Sequence, residues 1–445
     1  SSKFGENTRW GTFPSYAIAY TFSEEPYMDW ARDFLDFGKI RLSYGKSGKQ
    51  FEYPYFAFGV LIVNNIPFHG NQTITPYWPN GLINPKLSWE ETKQFDAGLD
   101  LEFFGNRLSL ELDYYYRYTD KLLAQVTLPG DYNAYTAQWQ NAYAISNQGI
   151  ELQIKADLIR SEKLHWDFSF NIARNWNRFE KSNNGMDFTN LASKHNLNII
   201  GKPLNGIYVY NDEGYYNSQD EVPLYYVNGR RKYLSSLGNQ IYSPGDRRIQ
   251  DVDGNGQVAT MVPLLEDRVY GGSPLPLAFG GIASTLKWKG IDVNLLFSYK
   301  LGRHVLNAGR GASVGTILRA NTAEMMVPIL ADLDKVSFWQ KPGDNTDFPI
   351  NELENGKNNF ATNLKSNVEK INYLKLKSIS IGYILPVFPK QSKHYARVFM
   401  SVENVFTITN SSSPDPESID IVTGVDSNNN YPLATRFTLG LTLNL

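Results

Sequence analysis

The sequence predicts an all-β chain, and more narrowly a transmembrane antiparallel β-barrel. Three observations lead to this prediction: apolar and polar residues alternate along many segments, the connections alternate in length, and aromatic residues are abundant. Tyrosine occurs 28 times and phenylalanine 25 times among the 445 residues, which is typical of the aromatic girdles of membrane barrels. The last segment, 436–445, shows the alternation clearly, because its apolar and polar residues fall on opposite faces as in a two-sided strand.

The alternation predicts about eleven strands, each near the ~9–11 residues that a tilted membrane strand needs. In chain order they cover 16–20, 39–44, 94–103, 108–117, 150–158, 164–172, 282–286, 291–300, 374–385, 397–403 and 436–445. Within 374–385 the phase changes between Leu376 and Ile379, and a β-bulge would absorb that change. The polar side of the strands carries full charges such as Asp96, Asp100 and Glu151, which suits a water-filled lumen.

The connections between the predicted strands are alternately short and long from the third strand onward. Short ones lie at 104–107, 160–163 and 287–290, and long ones at 46–88, 119–145, 177–275, 301–370 and 406–433. Membrane barrels have this arrangement, with short periplasmic turns and long extracellular loops. Such long loops argue against a compact soluble domain. A soluble β-sandwich adhesin stays open as an alternative, because a charged strand face could also meet bulk solvent.

Composition and residue spacing exclude several other classes of protein. The chain has no cysteine, so a disulfide framework, Cys-ligated metal and thiol catalysis are excluded. The net charge of −2 gives no field that would attract nucleic acid, and no apolar run approaches the ~18 residues of a membrane-spanning helix. The five histidines are scattered, and no Ser/His/acid set stands out. We therefore expect no catalytic residues, while an outer-membrane barrel enzyme remains a second alternative.

One segment has the spacing of a cation-binding loop. Oxygen-bearing side chains alternate around a glycine turn at Asp251, Asp253, Asn255 and Gln257, and this spacing suits a hard cation such as Ca²⁺. The twelfth position, which is a bidentate Glu in an EF-hand loop, is Val262, and Glu266 lies further on. The sequence gives a candidate Ca²⁺ site without requiring any cofactor. An Asx-rich turn held by its own backbone hydrogen bonds is the alternative.

Aromatic residues in the long connections are candidates for substrate binding. The candidates are Trp139, Tyr208, Tyr210, Tyr215, Tyr216 and Trp339, and the same connections also hold Trp78, Tyr225 and Tyr226. Aromatic rings can stack on sugars or clasp peptides, and the alternative for each is packing within a loop or a place in an interfacial belt.

Several segments of the chain resemble the SusC/RagA-type TonB-dependent transporters of Bacteroidota. The most specific one is GDRRIQDVDGNG at 245–256, followed by a Gly-x-Pro-x-Pro segment at 272–276. The others are RWGTFPS at 9–15, KIRLSYG at 39–45, NPKLSWE at 84–90, YLKLKSISIGYILP at 373–386 and SVENVF at 401–406. These motifs span nearly the whole chain in the order found in the family.

The resemblance implies that residues 1–445 are the C-terminal part of a barrel of about 22 strands, whose plug domain and TonB box lie outside this chain. It also implies TonB-dependent import of an oligosaccharide or oligopeptide across the outer membrane of a Gram-negative bacterium. The expected partners are a SusD-like surface lipoprotein, TonB, the upstream half of the same barrel and the lipid bilayer, but not nucleic acid. We expect the closing strand, 436–445, to pair with the first strand of that barrel.

Overall fold

A computed structural model gives the fold of most of the chain. It describes residues 1, 3–50, 61–63, 66–68, 72–74, 77–79, 82–128, 137–182, 185, 188–189, 195–227, 229–236, 239–258, 267–309, 337–346, 348–350, 363–386, 394–427 and 431–444. The chain divides into two compact units: the first holds 1–188, 199–204 and 282–289, and the second holds 189–198, 205–281 and 290–445. Over these described ranges, no helix is long and apolar enough to span a membrane.

Strands make up most of the first unit. They are β1 (Ser15–Thr21), β2 (Leu35–Lys49), β3 (Leu61–Val63), β4 (Ile66–Phe68), β5 (Gln72–Ile74), β6 (Tyr77–Pro79), β7 (Glu90–Phe103), β8 (Leu108–Thr127), β9 (Ala137–Arg160) and β10 (Leu164–Lys181). Short 3₁₀ helices cover Glu6–Thr8, Phe22–Glu24 and Pro26–Ala31.

The second unit holds most of the remaining strands. They are β11 (Phe188–Thr189), β12 (Asn196–Asn198), β13 (Gly206–Tyr210), β14 (Asp212–Tyr215), β15 (Leu224–Val227), β16 (Arg230–Tyr233), β17 (Ser235–Ser236), β18 (Arg247–Ile249), β19 (Gln257–Val258), β20 (Arg268–Gly272), β21 (Ala278–Trp288), β22 (Ile291–Asn307), β23 (Val368–Leu385), β24 (Tyr395–Thr409), β25 (Val425–Asp426) and β26 (Arg436–Asn444). Short 3₁₀ helices cover Gln219–Glu221 and Lys365–Asn367. Phe188 of β11 and the residues of β21 from Ile282 onward belong to the first unit.

The long strands of each unit form an antiparallel meander. In the first unit the order is β1, β2, β7, β8, β9 and β10, and the pairing of β9 with β10 extends from Arg160↔His165 to Ala144↔Lys181. In the second unit the order is β22, β23, β24 and β26. The described residues contain eleven strands of seven residues or more, which confirms the predicted number and the all-β class.

The predicted β-bulge in β23 is present. Phe297 of β22 pairs with Leu376, whereas the preceding Leu296 pairs with Ser378, so β23 has one additional residue, Lys377, at this place. The phase change in the sequence therefore marks a real irregularity of the backbone, because a bulge moves the following side chains to the opposite face.

Some of the predicted long connections contain strands that the alternation did not indicate. The segment 119–145 is mostly strand, since β8 continues to Thr127 and β9 begins at Ala137. The segment 177–275 holds the end of β10 and the short strands β11 to β20, which form small separate sheets. Backbone pairing requires no alternation of side chains, and strands of two to five residues are too short to show one, so the alternation pattern did not reveal them.

The apolar faces of the long strands are exposed. In β26, Phe437 is 73% exposed and Leu439 is 78% exposed, and Tyr16, Ile18 and Leu42 of the first unit are also exposed. A soluble protein rarely presents such a continuous apolar band, whereas the strands of a membrane barrel present one to lipid.

Candidate functional site

The predicted cation loop and most of the candidate aromatic residues lie in one folded part of the second unit, residues 205–272, which we call the insert. Short strands with paired backbones define it, and its core contains the buried side chains of Tyr210, Tyr216, Val222, Leu234, Tyr242, Ile249 and Val258, on which Leu364 packs from outside the insert. The insert thus has a hydrophobic core of its own and can hold side chains in fixed positions.

The loop 251–257 forms the Asx-rich turn that the sequence allowed. The two carboxylate oxygens of Asp251 accept hydrogen bonds from the backbone N–H groups of Gly254 and Gly256, each at 2.8 Å. Asp253 accepts a hydrogen bond from the N–H of Asn255 at 3.0 Å, and Asn255 accepts one from Gln257 at 2.7 Å. These bonds fix the direction of the carboxylates.

A third carboxylate joins the loop from the residue that immediately precedes β20. Asp267 is 1% exposed, and single oxygen atoms of Asp251, Asp253 and Asp267 all lie within 4.8 Å of one another. Asp267 also accepts a hydrogen bond from the backbone N–H of Val252 at 3.0 Å. Spacing along the sequence could not indicate Asp267 as a ligand, because tertiary structure brings it to the loop. Val262 and Glu266, which the sequence analysis also considered, lie outside the described residues.

Tyr225 packs against the loop and is engaged with its first carboxylate. Burial, together with a side-chain hydrogen bond to Asp251, raises the pKa of Tyr225 to about 12. The tyrosine is therefore neutral at physiological pH and can donate its proton to the carboxylate. Its ring lies 3.0 Å from the place where a Cβ atom on Gly256 would be, so this position of the loop requires a glycine.

Four of the six candidate aromatic residues are buried: Tyr208, Tyr210, Tyr216 and Trp339. The ring of Tyr208 packs edge-on against Tyr270 with centroids 5.5 Å apart, and the ring of Tyr216 lies 6.1 Å from that of Tyr242. Large aromatic side chains are commonly buried in folded proteins. In this structure these four side chains pack inside the protein, and their role in substrate binding stays a prediction.

The other two candidates are half-buried. Tyr215 donates a hydrogen bond from its hydroxyl to the carbonyl of Thr346 at 3.1 Å, and the guanidinium of Arg247 lies 5.2 Å from its ring centre. Trp139 belongs to the first unit, where it packs on a cluster that includes Phe4. Tyr226, from the wider set, is 67% exposed. A role in substrate binding stays a prediction, and accessibility favours Trp139, Tyr215 and Tyr226.

A second folded element, which no pattern in the sequence indicates, covers residues 410–427, and we call it the strap. Its short strand β25 pairs in parallel with the end of β22, with Val425 opposite Leu306. Arg303 of β22 is 1% exposed and donates hydrogen bonds to the backbone carbonyls of Pro274, Ile419 and Asp420. The strap is thereby attached to β22 through backbone groups.

Buried ion pairs attach the strap to β23. The buried ammonium of Lys375 lies 3.1 Å from a carboxylate oxygen of Asp415 and 3.0 Å from one of Glu417, while Lys377 lies 2.8 Å from Glu417. Burial opposes ionisation of Asp415, but backbone N–H groups of Leu433 and Glu417 and then Lys375 outweigh it and lower its pKa. Two cations thus face two carboxylates in a site largely shielded from water.

Comparisons with known proteins agree on one family. The family model described as TonB dependent receptor-like, beta-barrel, matches residues 1–309. The chain is 29% identical over its full length to TonB-dependent receptor P3 of Formosa agariphila, and 27% identical to TonB-dependent receptor SusC of Bacteroides thetaiotaomicron. It spans 43% and 41% of these two relatives.

A solved structure has the same fold. The RagAB peptide transporter matches 99% of this chain with a TM-score of 0.73 at 22% identity, and the match covers 44% of that chain. At this level of identity the likeness establishes the fold alone.

Proposed function

The chain belongs to the family of TonB-dependent receptor-like β-barrels, and from this premise we propose that it forms part of the wall of an outer-membrane barrel that imports a nutrient in a TonB-dependent manner. The observation that carries the proposal is that the long strands have an exposed apolar face and an opposite face that bears charged side chains. In a membrane, the first face meets lipid and the second lines a polar passage.

Ion pairs along the polar face support a water-filled passage. Arg41 of β2 donates hydrogen bonds to both oxygens of Asp100 at 2.8 and 2.7 Å, and it reaches Asp113 of β8 at 2.9 Å. The guanidinium crosses β7 above Gly98, where any Cβ atom would lie 2.6 Å from it. These three charges are therefore paired across strands, which keeps this part of the wall polar.

We also propose the partners and the class of substrate. A SusD-like lipoprotein would cover the extracellular opening, TonB would act through a part of the protein outside this chain, and the upstream half of the barrel would complete the wall. The substrate would be an oligopeptide or an oligosaccharide. The relatives support this proposal, since one is named SusC and a solved neighbour is described as a peptide transporter.

Uptake by cells tests the transport proposal. Cells that produce the full-length protein together with a SusD-like lipoprotein are given fluorescent oligopeptides or oligosaccharides, and the label in the periplasm is measured. We expect uptake that is lost when TonB is deleted, and we expect the label to arrive on intact substrate. Uptake independent of TonB would contradict the proposal, and substrate cleaved at the cell surface would favour the barrel-enzyme alternative.

For the loop of the insert we propose a Ca²⁺ ion held by Asp251, Asp253 and Asp267, with oxygen atoms of Asn255 or Gln257 completing the site. Three carboxylates within 4.8 Å repel one another, and a hard cation removes that repulsion.

Calorimetric titration of the full-length protein with Ca²⁺ tests whether the loop binds this ion. We expect Asp251→Asn to weaken binding by at least about tenfold, while Asp220→Asn, at an exposed position of the insert, leaves it unchanged. Equal binding by both variants would contradict the proposal.

A further inference from the structure

Two carboxylates and an imidazole meet on the polar face of the first unit, beside the short turn between β9 and β10. The Nε2 atom of His165 lies 3.0 Å from a carboxylate oxygen of Asp167. Asp157 completes the group, and one potential ligand atom from each of the three residues lies within 4.8 Å of the other two. All three residues are partly buried, and none of them belongs to the insert or the strap.

The register of the two strands brings the carboxylates together. Trp166 pairs with Ile159, but Asp167 pairs with Asp157, so β9 has one additional residue, Leu158, at this place. Without this bulge Asp167 would lie opposite Leu158 instead of Asp157. Like charges placed directly opposite each other destabilise a sheet, and bulges commonly redirect side chains at binding sites. The bulge therefore creates a costly pair of anions that a bound cation would stabilise.

The lysine and arginine side chains near this pair neutralise it only in part, and one of them, Lys287, acts on Asp167 electrostatically without a close ion pair. Arg160 approaches Asp157 only to 3.9 Å, and its side chain is largely exposed. Lys155 lies 3.8 Å from Glu111 on the neighbouring strand β8. His165 is the nearest nitrogen base, and imidazole nitrogen is a common ligand of transition-metal ions.

An open cavity lies beside the three residues. Its volume is about 230 Å³, and its lining includes Asp157, Asp167, Ser169 and Thr285. This space is large enough for an ion together with several water molecules, so a metal bound here would retain open coordination positions.

We propose that Asp157, His165 and Asp167 bind a divalent transition-metal ion, of which Zn²⁺ is the natural probe. Zinc accepts imidazole nitrogen at about 2.0–2.1 Å and carboxylate oxygen at about 2.0–2.2 Å, and three protein ligands with water in the fourth position form a common type of zinc site. Calcium prefers six to eight oxygen ligands, so the imidazole distinguishes this site from the loop of the insert. The inference does not depend on the proposed transport.

Zinc titration of the full-length protein in detergent tests the proposal. The protein carries no histidine tag, and Asp251→Asn with Asp253→Asn removes any contribution from the insert. Zn²⁺ is added in competition with a chromophoric indicator. We expect one zinc ion per chain, and we expect His165→Ala to weaken binding by at least about 100-fold because only two protein ligands remain.

A matched control comes from the same polar face. Asp96→Asn removes a carboxylate of β7 that accepts a hydrogen bond from Ser43 and lies outside the cluster, so zinc binding should not change. Undiminished binding by His165→Ala, or no micromolar zinc binding by the parent protein, would overturn the proposal. X-ray absorption at the zinc edge of the parent protein gives a second test that needs no variant, and a spectrum without imidazole scattering would also overturn it.

Discussion

The two glycines of the cation loop, Gly254 and Gly256, differ in how well they would tolerate a side chain. Gly254 and Gly256 both have a positive φ, 73° and 79°, which costs any L-residue about 1 kcal/mol. A Cβ atom on Gly254 would meet nothing within 4 Å, whereas one on Gly256 would lie 3.0 Å from the ring of Tyr225. The two positions therefore share a backbone cost and differ in packing.

This difference gives a paired comparison. We expect Gly256→Ala to weaken Ca²⁺ binding more than Gly254→Ala, because the added methyl displaces Tyr225 and with it the hydrogen bond to Asp251. Calorimetric titration of the two variants measures the difference. Equal weakening would mean that only the backbone conformation matters and that the tyrosine has no part in the site.

The buried guanidinium of Arg303 allows a second test at a single residue. Arg303→Met leaves the carbonyls of Pro274, Ile419 and Asp420 without this donor, and unsatisfied buried groups cost about 1–3 kcal/mol each. We expect amide hydrogen exchange in residues 415–427 to become at least about 30-fold faster. Arg231→Met, at an exposed position of the insert, serves as the control. Unchanged exchange in the strap would show that β25 and the ion pairs suffice to hold it.

Among the structural elements, the strap should respond to acid. The pKa values of Asp415 and Glu417 are both lowered: burial opposes ionisation in each, and hydrogen bonds and ammonium groups outweigh it. A lowered pKa in the folded state stabilises the strap above the ordinary carboxyl pKa of about 4. That stabilisation is lost as the pH falls through the lowered values, so the strap should be held at neutral pH and loosen only below about pH 4.

A spin label can report this transition, because the chain has no cysteine of its own. Val422→Cys places a single label at an exposed position of the strap. We expect its mobility to be constant from pH 7 to about pH 5 and to rise below about pH 4. In the Lys375→Met background the label should be mobile already at neutral pH, since one buried partner has been removed. A transition between pH 7 and 5 would contradict this assignment of the charges.

The sequence predicts a strand where the strand must separate an apolar side from a polar side along its whole length. It does not predict the strands that lack this constraint. The long strands and the bulge at Leu376 follow from alternation, because each strand separates an apolar side from a polar one. The strands of the insert and the strap have no such constraint, since their cores are set by tertiary contacts. For the same reason Asp267 and the opposition of Asp157 to Asp167 depend on register, which the spacing of residues does not reveal.

For the molecule as a whole, the exposed apolar band makes insertion into a membrane testable with neighbouring residues of β26. Leu441 is on the apolar face and Thr442 is on the other. A lysine facing lipid near the middle of a bilayer costs about 2–4 kcal/mol. In the full-length protein we expect Leu441→Lys to reduce the folded fraction in lipid vesicles, measured by denaturant titration, and Thr442→Lys to have little effect. The reverse result would place the soluble adhesin alternative ahead.

The meander order of the long strands also has a kinetic consequence. Within the first unit, β7 and β8 or β9 and β10 are neighbours along the chain, so each hairpin closes only a short loop and costs little chain entropy. Low contact order of this kind favours fast assembly. We therefore expect the wall to assemble one hairpin at a time. The pairing of β21 with β10 should be slower than the formation of these hairpins, because 96 residues (182–277) separate the two strands. Early folding of the insert would shorten that distance, and we therefore expect its core to speed assembly.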